Sequence, residues 1–154
     1  MVRLGAMGDI LHALPAITAL RHAHPTWEID WVVEPRWRAL IAADSAPDSQ
    51  PDPQSAPHPA SPLLNRIHLA PAKQWGKSPL SRQTFSEINA LRRELRASDY
   101  DAVIDFQGAV RSAWVARMTR CRRLIGESRP RELLARWLYS ERVNTCLLYT
   151  SRCV

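Results

Sequence analysis

An aspartate and two glycines stand at the start of an apolar helical pattern in RLGAMGDILHALPAI, residues 3–17. Asp9 is a carboxylate that could act as a general base and remove a hydroxyl proton during group transfer. Gly5 and Gly8 permit a tight turn whose exposed amides could hold an anion. Asp9 could equally cap the helix by accepting hydrogen bonds from its first free amides. The residue types by themselves favour the cap, and a catalytic role needs further support.

A parallel sheet would have to position these residues. Short apolar runs alternate with amphipathic runs along the chain, and this alternation predicts βαβ units. Because ligands of open α/β sheets bind at the carboxyl ends of the strands, Asp9 and the pair Gln107 and Gly108 are expected at a cleft. The predicted strands are 28–33, 66–70, 101–106 and 122–127. Helical stripes are formed by Ile10, Leu11, Leu14 and Ile17, by Phe85, Ile88, Leu91 and Leu95, and by Val110, Trp114 and Met118.

Prolines mark the interruptions of this pattern. Pro15 lies inside the first predicted helix, where it removes a backbone donor and should kink the helix or start a new segment. Pro35 fits the first turn of the next helix. Half of the twelve prolines lie in residues 44–62, a stretch without aromatic residues. We interpret it as a surface insertion within one domain, because it cannot pack a core.

Composition narrows the class of protein. The 154 residues are 45% hydrophobic and carry a net charge of +6, with arginines concentrated between residues 111 and 136. Such charge indicates a solvated helix face or a surface for nucleic acid, lipid headgroups or phosphorylated substrates. No run approaches a membrane span and no secretory signal is present, which predicts a cytoplasmic protein. Three cysteines without metal-type spacing predict neither a zinc site nor a disulfide framework.

Two further classes of protein share some of these features. A basic nucleic-acid-binding α/β domain without enzymatic activity would account for the arginines, although no helix-turn-helix, zinc or RNP-type signature is present. An intact nucleotide-binding Rossmann domain would need G-x-G-x-x-G, which the chain lacks. Nucleic-acid binding therefore remains the alternative to an enzyme.

Three motifs in register carry a resemblance to a known family. LGAMGDILHALPAITAL, IDWVVE and YDAVIDFQGAVRSA resemble the N-terminal half of the ADP-heptose:lipopolysaccharide heptosyltransferases, glycosyltransferase family 9, and DWVVE is most like heptosyltransferase I. The resemblance implies an α/β fold: a Rossmann-like parallel sheet with flanking helices, the N-terminal half of a GT-B glycosyltransferase. Residues 1–145 would form this acceptor-side domain, and the C-terminal donor-binding domain would be absent.

The resemblance also implies a reaction. An inverting glycosyltransferase of this family moves heptose from ADP-heptose to the Kdo of lipid A, in lipopolysaccharide inner-core biosynthesis. Neither a cofactor nor a metal is expected, and no nucleic acid. The protein would work in the cytoplasm, in peripheral contact with the inner membrane surface. Asp9 takes the general-base role in this pattern.

The same resemblance indicates which residues hold the acceptor. Lys73, Lys77 and Arg82 fall where the family carries a mobile basic loop that grips acceptor phosphates and carboxylates, although their spacing departs from the family's tighter arginine cluster. Arg131 matches a family arginine on the acceptor side. Gly8, in the turn before the first helix, and Gln107, at the cleft edge, complete the predicted acceptor-binding set.

Both ends of the chain differ from the family pattern. The family's first strand has several more apolar residues before its basic position, so we expect the natural start to lie upstream of Met1. Residues 149–154 can be back-translated into a DNA string that equals its own reverse complement, which predicts a non-native tail over 146–154. Because preorganised charge from the second domain would stabilise the leaving diphosphate, we expect this chain alone to be inactive.

Overall fold

The computed structural model describes residues 1–42 and 62–144. Within these residues, the sheet is made up of five parallel strands and a short N-terminal segment, residues 1–4. The segment lies in the middle, so that the order across the sheet is β2-β1-segment-β3-β4-β5, the order of a Rossmann sheet. The strands are β1 (Asp30–Val33), β2 (Arg66–Leu69), β3 (Val103–Ile104), β4 (Leu124–Glu127) and β5 (Glu141–Val143).

The N-terminal segment joins the two parts of the sheet through backbone hydrogen bonds on both sides. Toward β1, the Val32 N–H donates to the Met1 carbonyl at 2.8 Å and the Arg3 N–H donates to the Val32 carbonyl at 3.2 Å. Toward β3, the Val2 N–H donates to the Ile104 carbonyl at 2.8 Å. The segment is therefore the first strand that the turn at Gly5 requires.

Helices cover both faces of the sheet. Side chains alternate between the faces of a strand, and Trp31 and Val33 pack with α1 on one face whereas Val32 packs with α4 and α5 on the other. The helices are α1 (Met7–Ala23), α2 (Arg38–Ala42), α3 (Ala72–Lys77), α4 (Arg82–Ala97) and α5 (Val110–Arg117). Two 3-10 helices, Pro35–Trp37 and Leu133–Leu138, complete the described elements.

Most predicted elements are confirmed, and the first helix and the end of the sheet differ from the prediction. The first helix runs through Pro15 from Met7 to Ala23, so no new segment starts at the proline. Strand β5 and the 3-10 helix before it were not predicted from the sequence. The proline-rich insertion and the tail fall almost entirely in residues 43–61 and 145–154, outside the described residues. Within the described part of the chain, no helix is both long and apolar enough to cross a membrane.

Candidate functional site

The predicted site residues follow the carboxyl ends of successive strands. Asp9 and Gly8 come after the N-terminal segment, Lys73 and Lys77 after β2, Gln107 after β3, and Arg131 after β4. Since the strands are parallel, these ends lie along one edge of the sheet. This is the carboxyl edge, where open α/β sheets bind their ligands.

Asp9 lies at the carboxyl edge with an exposed carboxylate. Its Oδ2 lies 2.5 Å from Arg3 Nη2 in an ion pair, and the Ala6 N–H donates to the same oxygen at 3.3 Å. Its side chain is 45% exposed, so the carboxylate remains accessible. Ala6 is the N-cap of α1 and Asp9 is the third helical residue. The N-cap position predicted for Asp9 is therefore wrong, although its carboxylate does satisfy an amide at the helix start.

Arg3 fixes the orientation of Asp9. The Arg3 guanidinium also donates to the carbonyl of Phe106, just beyond β3, and its side chain is only 16% exposed. On the other side, the Trp31 indole N–H donates to the Arg3 carbonyl at 3.1 Å. Trp31 itself is fully buried in the core. Sequence reasoning missed the role of Arg3, because its contact to Phe106 spans more than a hundred residues.

Gln107 is brought next to the same turn. Its Oε1 accepts a hydrogen bond from the Leu4 N–H at 2.9 Å. This bond ties the end of β3 to the end of the N-terminal segment, one residue before Gly5. Gln107 thus contacts the segment that leads to Asp9, and its place at a cleft edge stays a prediction.

Gly108, in the turn after β3, lies against the backbone of Arg131, which follows β4. Gly108 has φ +65°, in the left-handed region that favours glycine, and an added Cβ would lie 3.1 Å from the Arg131 backbone nitrogen. The Glu132 N–H donates to the Gly108 carbonyl at 2.9 Å, and Glu132 Oε2 accepts from the Val110 N–H at 2.9 Å. These contacts hold Arg131 beside the turn after β3, with its side chain exposed.

A second aspartate at the carboxyl edge is buried. Asp105 accepts hydrogen bonds from the Gln107 N–H at 2.8 Å, from Ser112 Oγ at 2.9 Å and from the Tyr139 hydroxyl at 2.7 Å. Burial raises the pKa of Asp105, although these hydrogen bonds oppose the shift. Burial and the neighbouring Asp105 raise the pKa of Tyr139. The N-cap of α5 is Ala109, so Asp105 anchors the turn and the buried Tyr139 and does not occupy the cap position.

The three other basic residues lie further along this edge. Lys73 and Lys77 belong to α3 and Arg82 begins α4, and all three side chains are exposed. The Trp75 indole N–H donates to Glu87 Oε2 at 2.9 Å, which joins α3 to α4. None of the three forms an ion pair within residues 1–42 and 62–144, and no described contact connects them to Asp9.

The first turn of α1 offers space at Gly8. A Cβ added there would meet nothing within 4 Å among the described atoms. By contrast, a Cβ on Gly5 would lie 2.8 Å from Trp37 Nε1. Gly5 therefore serves the packing of the turn, whereas Gly8 leaves the approach to Asp9 open.

Comparisons with known proteins show what this chain is similar to. The family model for glycosyltransferase family 9 (heptosyltransferase) matches residues 88–147. Lipopolysaccharide heptosyltransferase 1 of Escherichia coli K12 is 34% identical over 119 residues, which are 73% of this chain and 30% of that protein. The enzyme of the same name from Salmonella typhimurium is also 34% identical, over 113 residues. The chain thus spans less than a third of the length of these curated relatives.

Solved structures give the same answer. The Escherichia coli heptosyltransferase WaaC with ADP-2-deoxy-2-fluoro heptose aligns with a TM-score of 0.79 at 29% identity, covering 97% of this chain and 42% of that chain. The same enzyme with ADP aligns with a TM-score of 0.75 at 30% identity, covering 93% of this chain and 40% of that chain. These matches confirm the predicted α/β, Rossmann-like fold of a GT-B N-terminal half.

The motifs, the sheet order and the relatives lead to one assignment. The three quoted motifs supply the end of the N-terminal segment, β1 and β3, which lie side by side in the sheet. The chain belongs to glycosyltransferase family 9, the heptosyltransferases.

Proposed function

We propose that this chain is the acceptor-side domain of an inverting heptosyltransferase. The parent enzyme would move heptose from ADP-heptose to the Kdo of lipid A, in inner-core lipopolysaccharide biosynthesis. The observation that carries this proposal is the exposed Asp9 carboxylate, held by Arg3 at the carboxyl edge of the central N-terminal segment. Family membership supplies the reaction type.

Asp9 is the proposed general base. In inverting transfer, the acceptor hydroxyl attacks the anomeric carbon as its proton leaves, so the base must reach the attacking oxygen. The ion pair to Arg3 and the bond from Ala6 N–H both use Oδ2, which leaves Oδ1 to accept the acceptor proton. Arg3 acts as a positioning residue, because it anchors Asp9 to the end of β3 through the Phe106 carbonyl.

The acceptor would lie along the edge beside Asp9. Kdo bears a carboxylate and lipid A bears phosphates, so exposed cations are suitable partners. Arg131 is held beside Gly108, and Lys73, Lys77 and Arg82 are exposed further along. Gly8 would let the acceptor approach the first turn of α1, and Gln107 would border it.

The donor would be held mainly by residues outside this chain. The WaaC structures were solved with ADP and with an ADP-heptose analogue, and the chain covers 40% and 42% of them. We propose that the donor-binding residues belong to the part of the parent that residues 1–145 do not match, so that this chain alone binds acceptor but transfers nothing. Neither cofactor nor metal enters the proposed step.

The proposed place of action is the cytoplasmic face of the inner membrane. The acceptor is a lipid, and the chain carries a net charge of +6. A basic surface is attracted to anionic headgroups by about 1 kcal/mol per cation. Peripheral contact would bring the carboxyl edge within reach of the membrane-embedded acceptor.

Two measurements test the proposal. The first is calorimetric titration of the 154-residue chain with a Kdo-bearing lipid A acceptor, together with an assay of ADP release from ADP-heptose. We expect saturable acceptor binding, weakened in the Lys73→Gln, Lys77→Gln, Arg82→Gln triple variant, and no ADP release. Arg38→Gln, an exposed arginine in the first turn of α2, is the matched control.

The second measurement is heptose transfer by the full-length parent and by its Asp9→Asn variant. Loss of transfer with unchanged donor binding supports Asp9 as the base. Substantial turnover by Asp9→Asn removes Asp9 from that role, and absence of any acceptor binding by the chain contradicts its assignment as the acceptor domain.

A further inference from the structure

A second charged cluster lies at the opposite edge of the sheet from Asp9. An open cavity of about 490 Å³ is lined by the segment that leads into β3 and by the segment that leads into β4. Its basic residues are Arg96, near the end of α4, and Arg120 and Arg122, just before β4. Because these segments precede the strands, the cavity lies at their amino ends, apart from the proposed acceptor site.

The arginines of this cavity are not neutralised. Arg96 Nε donates to the Met118 carbonyl at 3.1 Å, which fixes the guanidinium at the cavity wall and leaves its other N–H groups available. Within the described part of the chain, none of the three arginines forms an ion pair. Burial, followed by the charges of Arg120 and Arg92, lowers the pKa of Arg96. Positive charges therefore crowd together here, and an anion would relieve their repulsion.

Arg120 adopts a backbone conformation that does not suit an arginine. Its φ is +61°, in the left-handed region where glycine is favoured. The turn is fixed by Thr119, whose hydroxyl donates to the Ala116 carbonyl at 2.8 Å and accepts from the Cys121 N–H at 3.0 Å. Glycine would fit this turn at lower cost, so the presence of arginine calls for a function of its side chain.

We propose that this cavity binds a phosphate group. Guanidinium groups offer planar pairs of N–H donors that match phosphate oxygens, and three arginines line the cavity. Asp99 and Asp101 also line the cavity. Its lining therefore carries three positive and two negative charges, which suits a single small phosphate group and not a larger polyanion. The phosphate would come from a soluble phosphorylated compound or from a lipid headgroup. This inference does not depend on the heptosyltransferase proposal.

The test is a titration of the 154-residue chain with inorganic phosphate at constant ionic strength, followed by NMR and calorimetry. We expect saturable binding with shifts confined to residues around 96 and 119–122. Arg120→Gly removes the guanidinium and relieves the backbone, so the fold is retained while affinity falls by about tenfold or more, the effect of one charge-assisted hydrogen bond. Asp101→Asn removes an opposing charge and should tighten binding.

Controls and a second probe decide the outcome. Arg93→Gln, an exposed residue of α4 outside the cavity, loses the same charge and should bind like the unchanged chain. Sedimentation with phosphatidylglycerol vesicles tests whether the phosphate comes from a lipid, with phosphatidylcholine vesicles as the control. If the chain binds phosphatidylglycerol vesicles and Arg120→Gly abolishes this binding, the site is assigned to a headgroup. Failure to bind either probe, or equal losses in Arg120→Gly and Arg93→Gln, overturns the proposal.

Discussion

Asp9 and Asp105 occupy comparable places at the carboxyl edge, yet their surroundings differ. Asp9 follows the N-terminal segment, is 45% exposed and bonds through a single carboxylate oxygen. Asp105 follows β3, is buried, and accepts hydrogen bonds from three donors. Neighbouring parallel strands thus end in one carboxylate that is open to a ligand and in another that holds the protein together.

The difference shows how a site carboxylate is distinguished from a structural one. A carboxylate saturated by protein donors has no lone pair left for a substrate, and removing it leaves buried donors unpaired. An exposed carboxylate that is oriented by one ion pair retains an oxygen for chemistry. Both aspartates follow the end of a strand. Their burial and the number of their hydrogen-bond donors therefore distinguish the two roles.

The largest expected effect is on catalysis by Asp9. In the full-length parent, Asp9→Asn should lower the rate of heptose transfer by about 100- to 10,000-fold, the usual contribution of a general base. The free energy of unfolding should change by less than about 1 kcal/mol, because the carboxylate is exposed. Steady-state kinetics measures the transfer rate, and urea unfolding measures the stability. A large loss of stability in Asp9→Asn would show that Asp9 has a structural role like that of Asp105.

For Asp105 we expect a large effect on stability, in contrast to Asp9. Asp105→Ala leaves the buried Tyr139 hydroxyl without its acceptor, whereas Ser112 Oγ can still donate to the Ala109 carbonyl. The free energy of unfolding should therefore fall by about 1–3 kcal/mol. Urea unfolding of the 154-residue chain measures this change, with Asp101→Ala as an exposed control. Equal stability of Asp105→Ala and Asp101→Ala would contradict the anchoring role.

A smaller contrast separates two glycines of the same edge. Gly108→Ala introduces a Cβ at φ +65°, 3.1 Å from the Arg131 nitrogen, and should cost about 1–3 kcal/mol of stability. Gly8→Ala has room within helix α1 and should leave stability unchanged or raise it by up to about 1 kcal/mol. Thermal unfolding of both variants compares them. If Gly8→Ala also weakens acceptor binding, the methyl group blocks the approach to Asp9.

The smallest expected effect is a pH dependence from Asp105. Burial raises its pKa above the ordinary value of 3.8, so the folded state binds more protons than the unfolded state in the interval between the two values. The stability contributed by this group is therefore present at low pH and is lost as the pH rises through that interval. The unfolding free energy of Asp105→Asn should decline less across this interval than that of the unchanged chain. Parallel urea series from pH 4 upward measure the difference, and identical slopes would contradict the shift.

The sequence predicted the sheet better than the buried polar contacts. Strands near 28–33, 66–70 and 122–127 are confirmed, because each is a short apolar run between stretches of different pattern. The sequence did not predict strand β5, because most of its residues are exposed and it has no apolar pattern. The bounds of the strand predicted at 101–106 were too wide, since only Val103 and Ile104 pair with β4.

Partners distant in the chain account for what the sequence did not reveal. Arg21 is buried, although its charge favours exposure, because it donates to the Trp27 carbonyl at 2.5 Å and to Asn65 Oδ1 at 2.7 Å. The pairing of Tyr139 with Asp105 joins residues 34 positions apart. No local pattern encodes such contacts. The site residues Lys73, Lys77 and Arg82 rest on the family pattern, and their role in binding stays a prediction.

The N-terminal segment has a consequence for the order of folding. Its neighbours in the sheet are β1, some thirty residues away, and β3, about one hundred residues away. During synthesis this segment leaves the ribosome about one hundred residues before β3, so the second of its two ladders cannot close until β3 has emerged. Such late closure of a distant contact slows folding and leaves strand edges exposed in the meantime. The centre of the sheet is thus synthesised before β1 and β3 and is completed only when β3 pairs with it.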